Sequence, residues 1–379
     1  SDVFVIPSNI QVTVETPEGE IITQIRHIES SEPNFDQLDY LNNLCRYVCQ
    51  HTPDENEMRE KYLEVINREP QKRITRYAAG IMGGTGFAVF FGCNLRDAVI
   101  AFIVSVMIVA VGDWLAKRES NLLVYNGILA FISEVIIIGA LKMGIAEHPD
   151  RIMIGIVMLL ISGLSTTNGI RDLLQRDFIS GFINIMNSFL GAAGIAFGIG
   201  LAIILFHEGY SDHFILNHSV PIQLLSCTVA CTGFALWFKI RGKQVWYNSI
   251  GAFFTWAIYL AVYAVKPSNF LATMIAAVFV AFYAFIMSRV NKAPSTIFLT
   301  ASVFPLIPGP NLYYVMYWCV SLDPQLVFDE TIVLLATCLA IAFGFIIVDV
   351  ASRSIMHTMK REYHIGKSAL NLPLISGKK

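Results

Sequence analysis

Two apolar stretches of this chain are interrupted in the same way at corresponding places. One runs from Ile152 to Leu164 and passes through Ser162-Gly163-Leu164-Ser165-Thr166-Thr167-Asn168-Gly169-Ile170-Arg171-Asp172. The other runs from Thr296 to Phe304 and passes into Pro305-Leu306-Ile307-Pro308-Gly309-Pro310-Asn311-Leu312-Tyr313-Tyr314. Each is the fourth apolar segment of its half, and each follows a proline (Pro149, Pro294) suited to a helix start. A membrane helix that stops midway leaves backbone N–H and C=O groups that hydrocarbon cannot satisfy, so they must face protein or a water-filled cavity. A matched pair of such interruptions points to a transporter's solute site.

The rest of the chain fits a membrane setting. It is 55% hydrophobic and 15% charged, a balance that ordinary soluble domains do not have. A net charge of −2 argues against a nucleic-acid partner. About ten apolar segments approach the length needed to span a bilayer. They centre near Gly84, Ser105, Ser133, Leu159, Gly191, Val229, Thr255, Val278, Leu306 and Ala340. The first is the least distinct, crowded by Gly80, Gly83, Gly84 and Gly86. With the amino terminus in the cytoplasm, only Arg96, Lys142, Arg151 and Lys266 of the 27 Lys and Arg fall outside. The positive-inside rule therefore predicts a multi-pass plasma (inner) membrane protein with both ends cytoplasmic. Ser1-Asp2-Val3-Phe4 carries neither an initiator Met nor a signal-peptide pattern, so a processed or trimmed chain is expected.

The expected organisation is a cytoplasmic region at 1–72, a five-helix membrane repeat at 73–206, a second at 219–353 and a cytoplasmic tail at 354–379. Val12, Val14, Ile21 and Ile25 alternate around Thr16-Pro17-Glu18-Gly19, a hairpin signal. Helices are predicted over about 35–50 and 54–68, the second capped by Asp54. So small an α+β region buries little apolar surface by itself and is expected to pack on the membrane region or on residues upstream. The halves divide at the polar loop from His207 to Ser219, and five helices per half turn the second half over, an inverted repeat. The fold class is thus an all-α polytopic membrane protein with broken fourth and ninth helices.

Asn168-Gly169-Ile170-Arg171-Asp172-Leu173-Leu174, with Asp177, Ser180 and Gly181 behind it, resembles a signature of the threonine/serine exporter family. So does Pro305-Leu306-Ile307-Pro308-Gly309 followed by Leu312-Tyr313, and Val3-Phe4-Val5-Ile6-Pro7 is similar to the family's opening hairpin. The resemblance covers nearly the whole chain. It implies secondary export of small amino acids, driven by the proton gradient, with dicarboxylates such as succinate the cargo of relatives. It also implies two halves fused here that are separate proteins in some members. Two departures stand out: Ser162-Gly163 replaces the family's usual Pro-Gly, and no helix precedes the hairpin.

An amino acid presents a carboxylate and an ammonium. Half-helix starts offer free N–H groups to the first, and half-helix ends or acids suit the second. The candidate solute site is therefore Ser162, Gly163, Thr166, Thr167, Asn168, Arg171 and Asp172 at the first interruption, with Pro308, Gly309, Asn311 and Tyr313 at the second. The short polar groups equally suit capping of broken backbone. Arg171 could bind a carboxylate bidentately or pair with Asp172, Asp177 or lipid phosphate. Tyr313 and Tyr314 could gate the path or pack. Glu134, deep in an uninterrupted segment, is the candidate proton carrier, since a mid-membrane acid is costly to keep; a neutral packing hydrogen bond is the other reading. Asn184, Asn187 and Asn248 are candidate cavity residues or interhelical bonds. Gly194 and Gly198 read as close helix packing, and Cys45/Cys49 and Cys227/Cys231 as small packing residues rather than metal pairs. His207, Glu208, Asp212, His213 and His218 read as a solvated outer loop.

No cofactor is expected. The implied partners are a small solute, protons and membrane lipid, with homo-oligomerisation left open. No Gly-xxxx-Gly-Lys-Ser/Thr loop is present for ATP hydrolysis, and no His-Glu-xx-His for a membrane metalloenzyme. A sensor or scaffold using residues 1–72, or an uncoupled channel, would show no solute flux or no response to a proton gradient.

Overall fold

In a computed structural model, residues 2–6, 9–16, 19–27, 33–161, 163–206 and 219–370 are described; 355–370 and a few residues at the interruptions are described as backbone alone. The chain opens with a three-stranded antiparallel sheet in sequence order: β1 (Asp2–Ile6), β2 (Asn9–Glu15) and β3 (Ile21–His27). The β2–β3 register runs from Asn9↔His27 to Glu15↔Ile21, so the hairpin closes around Thr16 to Glu20 as the alternation predicts. Helices α1 (Phe35–His51) and α2 (Glu55–Ile66) follow. Their starts are chemical: the Asn34 side chain accepts from Gln37 N–H, and Asp54 from Glu57 N–H, satisfying otherwise orphan donors.

The remaining helices form the membrane region: α3 (Arg73–Phe90), α4 (Leu95–Leu115), α5 (Leu122–Lys142), α6 (Pro149–Leu160), α7 (Gly163–Leu174) and α8 (Phe178–Phe206), then α9 (Val220–Trp237), α10 (Lys243–Val265), α11 (Asn269–Asn291), α12 (Ser295–Ser302), α13 (Gly309–Val320) and α14 (Pro324–Leu370). Among the described residues seven helices are long and apolar enough to cross a bilayer: α4, α5, α8, α9, α10, α11 and the 324–354 part of α14. Helix α3 has the length, but Arg73, Arg76 and its glycines dilute its apolarity. Those glycines line close approaches instead. A side chain at Gly86 would strike the Ala230 backbone of α9, and one at Gly84 would strike Ser105 of α4. Small residues let backbones meet where hydrocarbon supplies no hydrophobic drive. Gly194 and Gly198 bring α8 against Leu123 and Gly127 of α5 in the same way. The polar loop at 207–218, with its histidines and acids, lies outside the described residues.

Within the first half α3 packs on α4 and α6, α5 on α8, and α7 on α8. Within the second, α9 packs on α10 and α12, α11 on α14, and α13 on α14. Among the described residues four helix pairs cross between halves: α3 with α9, α8 with α13, α14 with α7, and α6 with α13. Helix α14 runs unbroken past 353 to Leu370, so no change of backbone marks the expected tail boundary.

Helix α1 and the segment before α3 pack on the membrane helices. Phe35 N–H donates to the Phe238 carbonyl, and the two rings meet edge to face. Gln244 donates to Asp39, Asn42 to the Lys292 carbonyl, and Gln71 to the Leu236 carbonyl. These partners sit at the ends of α9 and α11 and the start of α10, so one end of the bundle carries both.

Candidate functional site

Both predicted interruptions are present. Helix α6 ends at Leu160, Ile161 is extended (φ −78°, ψ 131°), and α7 begins at Gly163. Helix α12 ends at Ser302, a 3-10 turn covers Phe304–Leu306, Ile307 is extended (φ −66°, ψ 128°), and α13 begins at Gly309. The two isoleucines, each two residues before a helix-opening glycine, share one backbone shape. An extended residue cannot continue the i→i−4 ladder, so each helix ends before it. The breaks are also in contact: α13 packs on α6, and any side chain on Gly309 would overlap the Met158 sulfur.

Two adjoining cavities lie beside them. The inner one, about 330 Å³, runs from Leu160, Ile161, Ser165 and Asn168 at the first break to Thr300 and Phe304 before the second. That is the lower end of the range for small-molecule pockets. Its wall is aromatic: Phe304 stacks on Phe234 at 4.0 Å between ring centres, with Trp237 and Phe238 alongside. The outer one, about 510 Å³, shares Pro33, Leu159, Leu160, Trp237 and Phe238 with it. It widens toward Asp36, Arg68, Glu69, Arg76, Lys239 and Arg241. The two cavities thus share a wall between the charged end of the bundle and the first break.

Of the predicted residues, Asn168 lines the inner cavity. Ser162 lies outside the described residues, and Gly163, Thr166 and Thr167 are described only as backbone at the start of α7. Arg171 turns toward α14, 3.9 Å from Asp349, which also accepts from Gln175. Asp172 accepts from Asn184, joining α7 to α8. Asn187, one turn further on, is exposed and lines neither cavity. Asn248 is fully buried beside the second break, where Ser302 donates to its carbonyl at 3.1 Å. Asn311 donates to Glu330 of α14 at 3.2 Å. Pro308 opens α13 as its N-cap residue, and Tyr313 is 2% exposed, packed edge to face on Tyr314 and stacked with Tyr317. Glu134 is fully buried and, with Asp150, lies within electrostatic reach of Tyr313. The second break thus meets a first-half acid.

Sequence reasoning missed Asn126. It is buried in α5, lines the outer cavity, and donates to the Gly191 carbonyl at 3.3 Å and to the Leu160 carbonyl at 3.5 Å. It thereby reaches an orphan carbonyl at the very end of α6. Its signal was legible: Asn126 lies seven residues before Ser133, so the two share one face of an otherwise apolar helix. Also missed was Asp36, 8% exposed, which accepts from Arg68 at 3.1 and 3.3 Å and lies 3.5 Å from Arg241. Burial pulls the Arg68 guanidinium down, but the Asp36 carboxylate outweighs it, so Arg68 holds its proton more tightly than usual.

A family model described as threonine/serine exporter matches residues 1–206, and a second so described matches residues 223–351. A protein of Corynebacterium glutamicum named "Threonine/serine exporter" is 24% identical over 338 residues, covering 83% of this chain and 67% of its own. A Mycobacterium tuberculosis protein named "Probable threonine/serine exporter" is 21% identical over 351 residues, covering 88% and 65%. The chain therefore spans about two thirds of the length of these relatives. No solved structure matches it. The family is one of transporters rather than enzymes, and with both of its models matched in order along a membrane-helix bundle, this chain belongs to the threonine/serine exporter family.

Proposed function

We propose that the chain is a secondary exporter of small amino acids, threonine and serine, working by alternating access about the two breaks. The observation that carries the reading is the pair of interruptions in contact, each with an extended isoleucine before a helix-opening glycine, and a cavity bordering the first. Half-helix ends at the two breaks offer their dipoles to a solute carboxylate and ammonium. Gly163, Thr166, Thr167, Asn168, Gly309 and Asn311 are the proposed solute contacts. The halves act as inverted five-helix repeats. In support, α3–α4, α5–α8 and α7–α8 packing recurs as α9–α10, α11–α14 and α13–α14. The charged end is the cytoplasmic one, in the plasma membrane with both termini inside, so the described conformation is open inward. Buried Glu134 carries the proton that couples export to the gradient.

Proteoliposomes loaded with threonine, serine or succinate, with and without a proton gradient, test this. Gradient-driven threonine or serine flux is expected. Flux of succinate alone would move the substrate to dicarboxylates, flux indifferent to the gradient would make the chain a channel, and flux of none would remove the exporter reading.

A further inference from the structure

The charged mouth of the outer cavity is more than an approach. Its rim carries four cations, Arg68, Arg76, Lys239 and Arg241, against two acids, Asp36 and Glu69. Arg76 is answered by Asp113 at 2.7 Å. Arg68 and Arg241 share a single carboxylate. Arg68 grips Asp36 as a two-toothed fork and lies flat over the Tyr40 ring, 3.4 Å from its centre. Arg241 reaches the same Oδ2 at 3.5 Å and donates to the Glu69 carbonyl at 2.8 Å. Arg68 and Asp36 belong to the amino-terminal region, and Arg241 to the loop between α9 and α10. Two guanidinium groups are thus fixed about one internal anion, at the wall of a cavity that runs on to the first break.

We propose that Arg68 and Arg241 form a second, cytoplasmic carboxylate-binding site, and that Asp36 is its built-in placeholder, displaced when the carboxylate of a small solute arrives. The inference rests on the exporter reading for the direction of travel, but not for the binding itself. A planar fork meets an incoming carboxylate with the geometry it uses on Asp36, so the cations exchange one anion for another and the Asp36 carboxylate is released to the cavity it lines. Surplus positive charge at the mouth also draws anions inward. On this reading the amino-terminal region is part of the transport path, since it supplies one guanidinium and the placeholder.

The test uses the full chain and the variants Arg241→Gln and Asp36→Asn. Equilibrium binding of labelled threonine and of labelled succinate to purified protein is one readout. The half-saturation of flux from the cytoplasmic face is the other. Arg241→Gln should weaken both about tenfold, the scale of one charge-assisted hydrogen bond in a half-exposed setting, and leave the maximal rate nearly unchanged. Asp36→Asn, which removes the competitor but keeps both cations, should move both the opposite way. The solute that responds, threonine or succinate, identifies the source of the carboxylate. If the two variants weaken binding alike, the cluster is a tether between the amino-terminal region and the membrane helices, and the proposal fails. It fails equally if Arg241→Gln changes nothing. Binding that responds as expected without flux in the unaltered protein would overturn the exporter reading and leave this site standing.

Discussion

The two breaks each place one extended isoleucine before a helix-opening glycine, in different surroundings. At the first, Ile161 opens onto a cavity with Ser165 and Asn168 on its wall, and Asn126 reaches in from α5 to the Leu160 carbonyl. At the second, Ile307 is 5% exposed, Phe304 is stacked under Phe234, and Tyr313, Tyr314 and Tyr317 form a packed aromatic column behind Gly309. One break borders the cavity and is reachable, the other is buried and shut. A shared extended isoleucine therefore does not make equivalent half-sites. At the shut break the Gly309 backbone lies close against the Met158 side chain.

The harshest way to break the comparison is to wedge the breaks apart. Gly309→Val places a branched side chain into the Met158 sulfur, and overpacking of this kind costs about 1–3 kcal/mol. Flux should be lost and the unfolding temperature in detergent should drop. A variant that transports at the unaltered rate would show that α6 and α13 do not need to meet. Glu134→Gln is the next largest. It keeps the buried volume and removes the ionisable group near Tyr313. Solute exchange at equal pH should survive, while the response to a proton gradient disappears. Retained coupling would take Glu134 out of the mechanism and leave the shut break without a titratable neighbour among the predicted residues.

How much of this was readable in the sequence depends on the range of the interaction. The breaks were legible because their causes are local: Gly and Pro at 308–310, a proline at each helix start, and polar residues inside apolar runs. The start of α2 was legible because Asp54 caps it three residues away. Both breaks came out at the expected positions, the first despite lacking the proline. What could not be read was pairing across the chain. Asp36 with Arg241 and Gln244 with Asp39 join segments about two hundred residues apart, and no periodicity announces them. Helical phase also misled. Asn184 and Asn187 are neighbours in sequence, yet one faces Asp172 on α7 while the other is exposed, since three residues turn a helix about 60° short of a full turn. The sequence leaves Arg171 open between a solute carboxylate and pairing with Asp172, Asp177 or lipid phosphate; Asp349, 3.9 Å away on α14, is a neighbour that no local spacing announces.

The finest test sets one asparagine against another. Asn126 steadies the reachable break through two carbonyls, and beside the shut one the Asn248 side-chain oxygen accepts from Ser302 at 3.5 Å while its amide donates to the Gln244 carbonyl. Each interhelical hydrogen bond in a membrane bundle contributes about 0.6 kcal/mol on average, so Asn126→Ala and Asn248→Ala should destabilise the fold by similar, small amounts. Their effects on transport should part. Asn126 lines the path, so its loss should raise the half-saturation for solute from the cytoplasmic side. Asn248 is fully buried and lines neither cavity, so its loss should leave half-saturation alone and change only the rate at which the shut break opens. Were both variants to shift half-saturation equally, the two breaks would be sharing the solute in this conformation, and their difference in surroundings would carry no functional weight.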